Sequence, residues 1–290
     1  MDAKTQRAFR TALLSGAGAA LLAGYAFYVE PRWLEVRRTR IQIYGLPAQL
    51  QGLRIALLSD LHAGKGTPLS LLRRACRLAM REKPDVIGLT GDFVCDESVV
   101  SPEQAVGALS QLRAPLGVFA VPGNHDHAWG IRAWKQALKD YRNVVDLTNK
   151  SLVHEIAGVR LGVAGVDDLV TGSPNYRWLN WLDRCDFVLL LAHNPDHAEE
   201  IRKLPVHVNL TLSGHTHAGQ VRLPLFGALL NPSTHDGIYD EGLVRRPWTQ
   251  VYISRGVGTI HLPVRFLCRP EISILELTRQ ATPEPEPNAG

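Results

Sequence analysis

Five short apolar runs recur along the chain, and each ends in residues able to bind a metal ion. Ile55–Ser59 leads into Asp60-Leu61-His62, Val86–Thr90 into Gly91-Asp92, and Val118–Pro122 into Gly123-Asn124-His125-Asp126. Val188–Ala192 leads into His193, and Leu210–Ser213 into Gly214-His215-Thr216-His217. Short apolar runs without helical periodicity read as buried strands. Between them, Leu69–Glu82 places Leu71, Leu72, Ala75, Leu78 and Ala79 on one helical face and stops at Lys83-Pro84. Ser101 and Pro102 mark another helix start, as a cap and a first-turn proline, and Ile131–Tyr141 is a further helix. Leu152–Ile156 and Arg160–Ala164 predict a hairpin, and Val251–Ser254 and Ile272–Leu277 predict late strands. The alternation predicts an α/β chain in the form of an α+β sandwich: two mixed β-sheets packed face to face and flanked by helices. Chemistry in open α/β sheets gathers at the carboxyl ends of strands, so the five clusters are expected to converge.

The amino-terminal pattern differs. Thr11–Val29 contains no charged residue, follows Lys4, Arg7 and Arg10, and closes at Glu30-Pro31. This is about long enough to cross a bilayer. A buried helix is disfavoured by the basic residues on both sides and by Pro31. A cleaved signal peptide is disfavoured because the run continues through Tyr25-Ala26-Phe27-Tyr28 without a small-x-small site. The expectation is an N-terminal membrane helix, an uncleaved anchor over residues 1–30. The catalytic domain is then expected over 31–280 and a disordered, Pro/Glu-rich tail over 281–290. Basic residues flank both ends of the anchor, so the side of the membrane stays open.

Charge follows the same division. Of the 32 Lys/Arg and 28 Asp/Glu in the 290 residues, residues 1–40 hold seven basic and three acidic, leaving 25 of each sign over residues 41–290. A neutral body has no bulk attraction for nucleic acid, which is not expected as a partner. Cys76, Cys95, Cys185 and Cys268 are scattered without a Cys-x-x-Cys pair, which argues against a zinc ribbon or a disulfide framework.

A pair of divalent cations about 3.5–4 Å apart requires a bridging carboxylate surrounded by hard or borderline ligands. Asp60 and His62 can reach one ion from a strand end, Asp92 is the natural bridge, Asn124 offers an amide oxygen, and His193, His215 and His217 offer imidazoles. A lone histidine is more often a satisfied, half-buried side chain than a ligand. Here that reading would have to hold at every strand end in turn. His127 and His197 lie near these blocks and read as supporting or surface groups. His154, His207, His235 and His261 have no motif around them. Cys95 reads as a small packed side chain rather than a thiolate ligand.

The order Asp-x-His, Gly-Asp, Gly-Asn-His-Asp, lone His and Gly-His-x-His resembles the signature of the calcineurin-like metallophosphoesterases, from Asp60 to His217. The resemblance implies one metal on Asp60, His62, Asp92 and His217 and a second on Asp92, Asn124, His193 and His215. It also implies that His125 contacts the phosphate and protonates the leaving oxygen, with Asp126 orienting its imidazole. Mn²⁺ is the first choice for this mixed donor set, with Zn²⁺ or Fe as alternatives.

Two branches of that family are disfavoured. Gly91-Asp92-Phe93-Val94-Cys95 lacks the Asp-Arg of the protein serine/threonine phosphatases and the Tyr of the purple acid phosphatases. The chain is more similar to a bacterial membrane-associated phosphodiesterase branch. The shared features are Glu30-Pro31, Leu191-Ala192-His193-Asn194-Pro195-Asp196, Gly256-Val257-Gly258 and Leu262-Pro263-Val264-Arg265-Phe266, with Ala218 where that branch usually has Gly. That branch includes enzymes cleaving UDP-2,3-diacylglucosamine in lipid A synthesis. The resemblance therefore implies a dinuclear metal-dependent hydrolase of a phosphodiester or pyrophosphate bond, acting on a phosphate ester such as a lipid-linked nucleotide at the bacterial inner membrane. The alternatives are a general phosphodiesterase or phosphatase on wall or nucleotide substrates, and a catalytically silent metal-binding membrane scaffold. Val221–Leu230 is apolar and reads either as an acyl- or bilayer-contacting loop or as a core strand turning at Phe226-Gly227. The pattern leaves oligomeric state open.

Overall fold

The computed structural model describes residues 16–64, 66–95, 99–228, 232–235 and 237–280. Two six-stranded mixed sheets form its centre. The first runs β1 (Glu35–Tyr44), β14 (Glu271–Gln280), β2 (Arg54–Leu58), β3 (Val86–Thr90), β4 (Val118–Val121), β5 (Val145–Asp146). The second runs β12 (Gly242–Arg246), β13 (Thr249–Ile253), β9 (Leu210–Ser213), β8 (Phe187–Leu191), β7 (Val159–Gly165), β6 (Lys150–Ile156). In the first sheet β2 to β5 are mutually parallel, and in the second β13, β9, β8 and β7 are. β10 (Arg222–Leu223) and β11 (Gly227–Ala228) form a small separate hairpin.

Strand alternation explains the layers. Ile55 and Leu57 of β2 and Phe119 and Val121 of β4 meet Leu189 and Leu191 of β8 and Leu210 and Leu212 of β9 between the sheets. Their neighbours Ala56, Leu58, Ile87 and Leu89 point outward and are covered by α1 (Leu69–Arg81), α2 (Pro102–Ala108) and α3 (Asn124–Asp140). With both faces covered, these strands read as unbroken apolar runs. On the far side, Val188 and Leu190 pack with Leu179, Leu182 and Ile201, the last from α4 (His197–Ile201). Gly88 leaves room for the sheets to approach, since a Cβ there would stand 3.0 Å from Leu212 Cδ1.

The helix expected over Leu69–Glu82 is α1, and Ser101 caps α2 in a reciprocal box with Gln104. The expected hairpin is β6–β7. Three elements differ from the expectation. α3 carries an unexpected first part from Asn124, where the Asp126 carboxylate accepts the Gly123 amide and supports a polar first turn with no apolar period; after a break at Gly130, φ 141°, the helix expected from Ile131 follows. β1 is charge-rich yet pairs in parallel with β14 over its whole length, burying only Ile41 and Ile43 completely. Val221–Ala228, the described part of the apolar Val221–Leu230 run, is not a core strand: around β10 and β11, Leu225 and Phe226 are exposed.

At the amino end, helix over 16–24 continues through single turns at Tyr25–Val29 and Glu30–Arg32. Among the described residues no helix is long and apolar enough to cross a membrane; Thr11–Ser15, the start of the uncharged run, lie outside them, as does the expected tail. Glu30 is buried, and its carboxylate accepts the backbone N–H groups of Leu267 and Cys268.

Truncating Leu212 to Ala opens a void between the sheets. It is expected to cost about 2–5 kcal/mol, read as a lower urea midpoint at unchanged slope.

Candidate metal centre

The strand ends converge because the backbone turns sharply where each strand stops. Asp60, His62, Asp92, His215 and His217 all have left-handed φ, from 42° to 70°. Such values are uncommon outside glycine and cost of order 1–3 kcal/mol each. Main-chain bonds hold these turns: Asp60 N–H to Gly91 O at 3.0 Å, and His62 N–H to Asp92 O at 2.9 Å. The glycines before them allow the close approach. A Cβ on Gly214 would collide with Asp60 Oδ2 and one on Gly123 with Asp92 Oδ1.

The side chains thus brought together include all seven expected ligands. Asp92 Oδ2 lies between two imidazoles, 3.5 Å from His62 Nε2 and 3.2 Å from His193 Nε2. On one side, His62 Nε2 is 3.0 Å from His217 Nε2, which is 3.4 Å from Asp60 Oδ1. On the other, His193 Nε2 is 3.2 Å from Asn124 Oδ1 and 3.1 Å from His215 Nδ1. Two compact ligand groups result, Asp60–His62–His217 and Asp60–Asp92–His193, with every residue buried. The fit to two divalent cations rests on this donor set: ring nitrogens face one another across buried carboxylates, an arrangement that favours positive charge between them.

Neighbours orient the imidazoles. His193 Nδ1 lies 2.7 Å from Thr90 O, to which it donates, so Nε2 is the nitrogen turned toward the site. Cys95 Sγ lies 3.3 Å from His62 Nδ1 and backs that ring. Cys95 is therefore not simply a packed side chain, and no motif signalled this contact. The His125 amide donates to Asp92 Oδ1 at 2.9 Å, and its ring lies edge-on to that of His62, 5.1 Å between centroids. Asp126 also braces the backbone. Its two oxygens accept the amides of Phe93 and Gly123, at 2.9 and 3.0 Å, so it ties the Asp92 turn to the start of α3.

Burial dominates the electrostatics. It pushes Asp60 up to about 6, with the Asp92 charge adding to the effect, and lowers His62 to about 3 and His215 to about 4. His217 falls well below the usual histidine value for the same reason, helped by His62. Burial and the Asp92 charge together raise Asp126 to about 8. For Asp92 burial is overcome by His193, His62 and His125, which hold its carboxyl far below the usual range. Burial also opposes charge on His193, but Asp92, Asp60 and Asp168 outweigh it and keep the ring protonated without cations.

Arg265 is a supporting residue the motif reading quoted without a role. It is fully buried, and its guanidinium donates to the carbonyls of Arg255, Gly256, Gly258 and Cys268. The loop it grips carries Gly256 and Gly258 against the Asp60 turn: Gly258 N–H donates to Asp60 O at 2.7 Å, and Val257 N–H to Ser59 O at 3.0 Å. Other histidines stand apart. His127 pairs with Asp167 at 2.7 Å, and His197 Nδ1 is 2.6 Å from the Tyr176 hydroxyl. His261 lines the cavity of about 450 Å³ over the centre, with Asn124, His125, Gln220 and Ile260.

A sandwich with carboxylates and imidazoles gathered at its strand ends defines a metal-dependent phosphoric ester hydrolase. Residues 53–219 match the family model described as calcineurin-like phosphoesterase, and the chain belongs to that family. It is 35% identical over 269 residues to the uncharacterized metallophosphoesterase YkuE of Bacillus subtilis (strain 168), covering 92% of each chain. It is 35% identical over 260 residues to phosphodiesterase YaeI of Escherichia coli (strain K12), covering 88% of this chain and 92% of that one. Similarity to the UDP-2,3-diacylglucosamine pyrophosphatase LpxG of Chlamydia muridarum is 26% over 308 residues, covering 87% and 91%.

Two outcomes follow. If His193 takes a cation on Nε2 its proton must leave, so affinity for Mn²⁺ should rise with pH above the ordinary histidine range, with proton release seen as a buffer-dependent calorimetric enthalpy. Arg265→Met should weaken Mn²⁺ binding by about 10–100-fold in the same titration, and Arg265→Lys, which keeps the charge but not the fork, should not restore it.

Proposed function

We propose that the chain hydrolyses a phosphodiester or pyrophosphate bond with two cations held by its strand-end residues. Asp60, His62, Asp92 and His217 hold one, and Asp92, Asn124, His193 and His215 the other. The observation that carries this reading is the position of Asp92 Oδ2 between His62 and His193, the place of a bridging carboxylate. Mn²⁺ suits the mixed carboxylate and imidazole donors. When bound, the cations supply an acidified water and neutralise phosphoryl charge.

The protein's own groups do the rest. Asp92 is fixed by the His125 amide, so the carboxylate and the cavity-lining imidazole keep a constant separation. His125 is half-buried at the cavity and delivers a proton to the departing oxygen. Asp126 keeps the turn bearing Asn124 and His125 in place through its two amide contacts. The burial of Asp60, His62, Asp92, His193 and His217 strengthens each charge interaction in the site.

The proposed substrate is a lipid-linked nucleotide pyrophosphate, of which UDP-2,3-diacylglucosamine is the model. The relative that carries this activity in its name supports it, as do the exposed apolar side chains of the β10–β11 loop. The uncharged run up to Val29 supports an N-terminal anchor and a place at the bacterial inner membrane. A second reading, a general phosphodiesterase, is favoured by the higher similarity to YaeI. The ratio of kcat/KM for UDP-2,3-diacylglucosamine and for a simple diester separates them.

Replacing Asp92 by Ala should reduce hydrolysis of bis(p-nitrophenyl) phosphate with Mn²⁺ to background and lower the bound metal. His125→Ala should lose about 10²–10⁴-fold on an alkyl ester, whose leaving oxygen needs a proton, and far less on the nitrophenyl ester. Full turnover by either purified variant, or equal losses of His125→Ala on both esters, contradicts that residue's role.

A further inference from the structure

Three segments distant in sequence lie side by side at the cavity mouth. Ala26 O accepts the Arg265 amide at 3.0 Å, and Glu30 accepts the amides of Leu267 and Cys268. The 265–269 strip in turn pairs with the chain entering β10: Phe266 N–H donates to Gln220 O at 3.0 Å and Arg222 N–H to Phe266 O at 2.9 Å. Gln220 then clasps Ile260 through both ends of its amide, so the strips border the cavity itself.

The outward side chains of these strips are apolar. Leu225 is 103% and Phe226 81% exposed at the hairpin tip, Leu262 and Leu267 are more than half exposed, and Val29 and Trp33 project from the incoming chain. Most of the exposed large hydrophobics among the described residues fall on these strips or on the helix leading into them. An apolar patch of this kind marks a contact surface. Its borders point to the occupant. Arg269 stacks on Trp33 with its guanidinium carbon 4.3 Å from the ring centroid, and Arg32 is exposed one residue before it. Aromatic and arginine side chains flanking an apolar surface match the headgroup layer of an anionic bilayer. The uncharged run that ends at Val29 enters the domain within this same patch.

We propose that this patch seats on the lipid bilayer, with Leu225 and Phe226 reaching below the headgroups, so that the catalytic cavity opens directly onto the membrane surface. The inference rests on the membrane reading given above and deepens it. Anchoring alone would leave the domain free to turn. The Glu30 and Arg265 contacts fix the incoming chain against the cavity rim and so set the orientation.

Photo-crosslinking in vesicles of phosphatidylethanolamine and phosphatidylglycerol tests it, using the full chain with p-benzoylphenylalanine placed singly at Leu225, Phe226, Leu22 or Trp181. Lipid adducts are expected at 225, 226 and 22, and none at exposed Trp181 beside the outer face of the second sheet. Adducts at 22 without 225 or 226 leave the anchor standing and overturn the seating. No adduct at 22, 225 or 226 overturns both readings. Adducts to a second copy of the chain at 225, or equal lipid adducts at 181, also overturn the seating. In a second measurement, Leu225→Asp with Phe226→Asp should leave turnover of bis(p-nitrophenyl) phosphate unchanged. It should lower turnover of UDP-2,3-diacylglucosamine in those vesicles by about tenfold or more. Unchanged turnover on both substrates, or equal loss on both, contradicts the seating.

Discussion

The structure is organised around two carboxylates, Asp60 and Asp92, buried a few ångströms from each other in a setting where isolated negative charge is unfavourable. Burial raises one toward neutrality, while the other stays ionised only because imidazoles crowd it. Added positive charge between the two would favour the ionised form of both. The left-handed turns at five ligand positions and the bare glycines at 91, 123 and 214 make sense as consequences. They hold these groups together against their repulsion. Strain of this kind persists only where surrounding structure over-determines it, and here two sheets and their helices do so.

That constraint also explains the supporting contacts. The carbonyl of Thr90 and the thiol of Cys95 sit behind His193 and His62, and each leaves the Nε2 atom facing inward. Arg265 brings a buried cation near Asp60 without competing for its oxygens, because carbonyls occupy the guanidinium. Its backbone amide is bonded to Ala26, so the incoming chain and the metal-binding turns share one set of contacts.

Much of this was legible in the chain because it is local. An apolar run followed within a few residues by Asp, Asn or His survives as a written pattern, and burial of both strand faces makes the run continuous, as at Val86–Thr90. Features made by distant contacts left no such mark. β1 is charged and finds its order only by pairing with β14. The first turn of α3 has no apolar period, and its stability comes from the buried Asp126 carboxylate, whose amide contacts could not be read from its place after His125. Cys95 meets His62 across 33 residues, and Arg265, although its guanidinium partners lie only 3 to 10 residues away, grips an irregular loop; periodicity and spacing encode neither contact. The β10–β11 loop was apolar enough to suggest a core strand, and only its exposure separates the two readings.

The role proposed for Asp92 is to bridge two cations. Electron paramagnetic resonance of the Mn²⁺-loaded full chain tests it most directly, because a shared carboxylate places two ions close enough to couple magnetically. A spin-coupled pair is expected in the native chain, and its loss in Asp92→Ala. Only isolated Mn²⁺ at saturating metal, or a coupled pair that survives the removal of Asp92, would contradict it.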